Sequence, residues 1–198
     1  MNTFRPIVLS LLASLPVFAA CQKSSAPASA DPAPAPASSP LEVTATIQDL
    51  MKYEVDPAAD ALWESVSTNV TAAGTEEKHP RTDEEWEAVR RHAIILAEAG
   101  NLLAMEGRRI AAPGRKLEDE GIQGILTAAE AQQVIDRNHA AFVGFAQALH
   151  DVGEKMLAAV DAKNPQGMID AGETLDEVCE SCHMTFWYPN QVIPEFPD

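Results

Sequence analysis

From residue 41 onward, apolar positions recur every three or four residues, the spacing of helices that bury one face. Val43, Ile47, Leu50 and Met51 form one stripe. Leu62, Trp63, Val66 and Val70 resume it after Asp56–Pro57, where the proline predicts a kink or short break. Trp86, Val89, Ala93, Leu96 and Ala97 form a second stripe. Ile135, His139, Phe142, Phe145, Leu149, Val152, Met156 and Val160 line one face of a long third helix, and Leu175, Val178, Cys182 and Phe186 do the same in the last. The helix starts are marked by capping residues. Ser39 with Pro40 and Glu42, Thr82 with Glu85, and Thr127 with Glu130 each place a hydroxyl three residues before an acid, and Asn164 precedes Pro165. Alternating Val/Ile/Thr runs between tight turns are nearly absent, so no sheet is predicted. The stretches "TAAGTEEKHPR" and "GRRIAAPGRKLEDEGIQG" read as connections. Four amphipathic helices joined this way predict an all-α fold, an antiparallel four-helix bundle.

The first forty residues have a different character. Arg5 is the only charge before an apolar run from Ile7 to Phe18, and Ala19 and Ala20 precede Cys21. The run is too short to span a bilayer and reads as an export signal over residues 1–20. Cys21 stands where a bacterial lipoprotein carries its acylated cysteine, although Phe18 replaces the usual leucine. The alternative is an ordinary secretory signal and a soluble periplasmic protein. No aspartate follows Cys21, which favours the outer membrane, facing the periplasm. Residues 21–40 are almost all Ala, Pro and Ser; they predict an extended, solvated tether. Residues 41–198 are long enough for one domain with its own core.

Charge and cysteine content narrow the function. The chain carries a net charge of −16; Arg5, Lys23 and Asp31 give the first forty residues +1, leaving −17 on the remainder. Such a surface repels nucleic acid and anionic lipid and favours partners with basic docking surfaces, with membrane contact only through the anchor. Of three cysteines, one belongs to the export signal and two to "CESCH", Cys179-x-x-Cys182-His183. No Ser/His/Asp set, glycine-rich phosphate loop or paired-carboxylate signature accompanies them.

Three chemistries compete for that motif. A structural zinc site needs four ligands, and this segment offers at most three, with no second Cys/His pair to complete it. A thioredoxin-like dithiol needs a βαβ context that the chain lacks. Haem c fits best: two cysteines one helical turn apart suit thioethers to the two vinyl groups of one porphyrin, and His183 then reaches the iron. Only fifteen residues follow His183, and Met184 is too close to swing round the ring, so any sixth ligand comes from upstream.

A Cys-x-x-Cys-His motif near the C-terminus, on the last helix of a predicted bundle, resembles the class II c-type cytochromes, the cytochrome c′ and cytochrome c-556 family. The resemblance covers residues 41–188 in architecture and rests at motif level on "CESCHMTF". It implies one haem c held by Cys179, Cys182 and His183, with the first helix across the distal face. In the c-556 branch a methionine of that helix ligates the iron; here that residue is Met51, and the protein is an electron carrier. In cytochromes c′ the distal face is open and takes NO or a similar gas, and Met51 is then core packing. A peroxidase-like role has no supporting acid/base group, so no enzyme is predicted. The family often dimerises and often carries arginine four residues after the haem histidine, where this chain has Trp187. The "FWYP" tail reads as a haem-edge cap or, preferably, a plug closing the bundle. Among the remaining residues, Arg90, Arg91, Arg108 and Arg109 are candidates to pair a haem propionate. His139 reads as a hydrogen-bonded core histidine, Met105 and Met156 as core, and Trp63 and Trp86 as packing residues.

Overall fold

Three reciprocal capping boxes open helices in the computed structural model, which describes residues 42–191. Thr82 and Glu85 start α3 (Asp83–Leu103), Thr127 and Glu130 start α4 (Ala128–Arg137), and Thr46 and Asp49 start α1 (Ile47–Leu50). Asn164 caps α6 (Pro165–Phe186) by accepting the Gly167 N–H at 3.1 Å. Hydrogen bonds at the boxes hold three carboxyls below their usual values of 3.8 and 4.5. The donors are the Thr46 hydroxyl for Asp49, the Arg81 and Thr82 main chain for Glu85, and the Thr127 main chain for Glu130. A carboxyl depressed on folding stabilises above its unfolded value and loses that contribution as pH falls through the folded one. The melting temperature is therefore expected to fall on acidification below about pH 5, less steeply in an Asp49→Asn/Glu85→Gln/Glu130→Gln variant.

The first helix begins later than the sequence predicts. Ser39, Pro40 and Cys21 lie outside the described residues, but Glu42–Ala45 are not helical. The long connection after α3 sets the start instead. Ile47 and Gln48 donate their N–H groups to the carbonyls of Arg109 (2.8 Å) and Ile110 (2.9 Å), and the buried Arg108 guanidinium binds the Ala45 and Leu102 carbonyls. At Asp56–Pro57 the rod is not broken. It widens to a π segment, Met51–Val55, and continues as α2 (Asp56–Ser65). Pro57 has no N–H for the Tyr53 carbonyl and would press its ring against it, and a wider turn relieves both faults.

Two further expectations are corrected. The end of the stripe predicted to run through Val70 and the start of the connection that follows it instead form an antiparallel hairpin, β1 (Ser67–Thr71) with β2 (Gly74–Lys78). Val70 and its Thr neighbours suit strands, and the two-residue turn ends on Gly74 at φ +133°, where glycine carries no side-chain penalty. The hairpin is almost wholly exposed, so Val70 belongs to no core stripe. The predicted long third helix is two helices, because Asn138 (φ −125°, ψ 36°) separates α4 from α5 (His139–Asp161). His139, at the first position of α5, is exposed and is not a core histidine.

The described residues are mainly helical, with this one small sheet. α3 packs along α5, α5 along α6, and α2 against both α3 and α6, while α4 lies against α5 and α6. Leu62, Leu96, Val152, Met156, Met168 and Leu175 are fully buried between them, and Trp86 is buried as expected. α3 and α5 approach most closely at two glycines. A Cβ on Gly153 would lie 2.6 Å from the Ala97 main chain, and one on Gly100 2.6 Å from that of Ala146 and His150. Gly153→Ala is thus expected to destabilise: overpacking against a backbone costs about 1–3 kcal/mol, set against a helix-propensity gain of about 1 kcal/mol. The melting temperature should drop by roughly 2–4 °C per net kcal/mol.

Candidate functional site

The last two turns of α6 carry the three motif residues. Leu175 and Phe186 anchor them: Leu175 is fully buried, and Phe186 meets Phe142 and Phe145 edge-on at ring separations of 5.5 and 6.0 Å. Cys179 and Cys182, three residues apart, share one helix face and pack half-buried against the core. Their thiols are not joined to each other. Burial raises the Cys179 thiol to about 11, assisted by Asp176 and Asp56, and raises Cys182 to about 12. Both are therefore protonated at neutral pH, unlike the low-pKa thiolates of redox catalysts. Burial lowers the pKa of His183, outweighing the opposing fields of Glu180 and Asp56, so the ring is neutral at pH 7, the form that binds metals.

The aromatic tail divides between two jobs. Phe186 is the core plug. Trp187 and Tyr188 instead flank the His183 ring, Trp187 edge-on with centroids 5.2 Å apart and Tyr188 at 5.9 Å. The Tyr188 hydroxyl donates to Glu180 at 2.6 Å. Trp187 Nε1–H is buried with no partner among the described residues. Leaving such a donor unpaired costs about 1–3 kcal/mol, so an acceptor beyond the described residues would satisfy it. Leu126 N–H donates to the Trp187 carbonyl at 2.8 Å, tying the connection before α4 to this end of α6.

α2 runs alongside in the opposite direction. Trp63, part-exposed rather than core, donates its indole N–H to the Gly172 carbonyl at 3.1 Å. Asp56 lies seven residues before Trp63 and Cys179 seven residues after Gly172, so equal helical rise brings them level. The Asp56 carboxylate indeed acts on both Cys179 and His183. Met51 lies one hydrogen-bonded turn before Asp56, whose N–H donates to the Met51 carbonyl, and His183 lies one turn beyond Cys179. By helical rise Met51 and His183 fall at a similar height along their helices, while the π segment's own contacts are with α1, α2 and α3. Met51 is half-buried against the core.

Other candidates are placed elsewhere. Arg108 is taken up by main-chain carbonyls, and Arg90 pairs with Asp161 at 2.7 Å; Arg91 and Arg109 are exposed. Met156 is core, and Met105 accepts from Arg108. His139 and Arg109 line a groove of about 280 Å³ with Ile135 and Phe142, which does not include the motif residues. No three His, Cys, Asp or Glu side chains among the described residues gather as a metal-holding group, and no described helix is long and apolar enough to cross a membrane. Asp56, Trp187 as a free donor and the π turn were not singled out from sequence; only the Asp56–Pro57 break hinted at the last. The fold and site define a helical protein with a half-buried Cys-x-x-Cys-His face on its C-terminal helix. Compared with family models, curated proteins and solved structures, the chain matches none.

Proposed function

We propose that this chain is a monohaem c-type cytochrome, an antiparallel four-helix bundle of the class II kind, that carries electrons on the periplasmic side of a bacterial membrane. The observation that carries the reading is the pair of half-buried, unpaired thiols one turn apart on α6 with His183 directly after them; equal helical rise supports Met51 as the residue at the height of that histidine. Cys179 and Cys182 would hold the haem as thioethers, and His183, neutral and braced by Trp187 and Tyr188, would ligate its iron. Met51 would supply a second protein ligand, and the Trp187 indole N–H would be the donor available to a haem carboxylate. When bound, haem supplies one-electron iron chemistry, at a reduction potential that a methionine thioether would raise. The acidic surface favours redox partners with basic docking faces, and lipid-bearing Cys21 with the Ala/Pro/Ser tether keeps the domain at the membrane.

The test is an absorption spectrum of the periplasmically expressed protein, oxidised and reduced, with and without CO. The proposal predicts a low-spin spectrum with sharp reduced bands and no response to CO. A high-spin spectrum that shifts on CO would replace electron transfer by the binding of NO or a similar gas. A smaller effect is expected from Trp187→Phe, which keeps the ring against His183 but removes the donor. Haem attachment persists, while an indole N–H protected from solvent exchange in the holoprotein is lost from its nuclear magnetic resonance spectrum.

A further inference from the structure

We propose that the π segment Met51–Val55, set by Pro57, is the device that aims Met51 at the position facing His183, making Pro57 a positioning residue; this rests on the reading of Met51 as ligand. One turn normally spans four residues, and in an uninterrupted α-helix the residue one turn before Asp56 would be Lys52. Here Asp56 N–H bonds the Met51 carbonyl, so five residues fill the turn. Met51 is accordingly half-buried and packed on the core, and Lys52 is exposed.

Two sequence features demand the extra residue. Pro57 can neither donate to Tyr53 nor tolerate its carbonyl one α-turn below. Glu54 would, in α register, stand three and four residues from Leu50, Met51 and Ala58, on the buried stripe. In the structure it is exposed. Burying that carboxylate without a partner is costly, so the wider turn also keeps a charge in water. A π turn acts as a one-residue insertion. Closing it without removing a residue would swing Met51 about 100° around the axis relative to α2.

Three full-length variants, matured with haem in the periplasm, test this by spin state and CO response. Met51→Ala should become high-spin and bind CO. Met51→Ala/Lys52→Met should look the same, because position 52 does not face the iron. Deleting Glu54 together with Pro57→Ala gives a plain α-turn with residue 51 again one turn before residue 56, and should stay low-spin and CO-insensitive. A low-spin Met51→Ala/Lys52→Met variant, or a folded, haem-loaded deletion variant that is high-spin, would overturn the inference while leaving Met51 as ligand. Should the deletion variant fail to accumulate, the Met51→Ala/Lys52→Met variant decides alone. A low-spin Met51→Ala protein would instead overturn the ligand reading itself, and this inference with it.

Discussion

Replacing both Cys179 and Cys182 by serine is expected to abolish covalently bound haem. Denatured wild-type protein should stain for haem on a gel, and the double variant should not stain at all. The thiols sit one turn apart on a single helix face and are protonated, so in the absence of a covalent partner they are inert cargo for the fold. Serine is close in size, and both positions are half-buried, so the polypeptide itself should still accumulate. Single variants should retain one thioether and show weaker staining. Stain of wild-type strength in the double variant would contradict every role assigned to this face.

Substituting Met51 has the second largest expected effect. Met51→Ala should convert a low-spin, CO-insensitive haem to a high-spin, CO-binding one and lower its reduction potential, since the thioether favours reduced iron. Truncating a buried methionine costs about 2–5 kcal/mol, and Met51 is only half-buried, so the lower end applies and the fold should survive. Met51→Leu, which nearly conserves volume, separates ligation from packing. It should retain the wild-type stability within about 1.5 kcal/mol while losing the low-spin spectrum. A variant that keeps its spectrum would make Met51 a core residue and nothing more.

How far the sequence carried depends on whether local chemistry or tertiary contact decides each element. Thr82, Thr127 and Asn164 mark their helix starts unaided, because a cap satisfies its own turn. Ser39 did not mark the start of the first helix as read: the Arg109 and Ile110 carbonyls, some sixty residues away, receive the first N–H groups of α1. His139 sits on the right period for burial, yet the Asn138 break places it at a helix end in the open. The hairpin has no apolar alternation to reveal it, since neither of its faces is buried. At the site, the motif was legible as a string because its spacing is set by one helix. The height match of Met51 with His183 was not, because it depends on the antiparallel run of α2 past α6 and on a turn one residue too wide. Trp187 illustrates the same limit: the residue is visible in the sequence, but its buried N–H, unpaired among the described residues, appears only once the chain is folded.

The central claim, that Cys179 and Cys182 carry haem, is tested most directly by proteolysing the mature periplasmic protein and weighing its peptides. The account predicts that the peptide containing Cys179 to His183 bears one haem mass through both cysteines, with no free thiol at either position. The same peptide recovered with two free thiols or an internal disulfide, from cells competent to attach haem c, would contradict it.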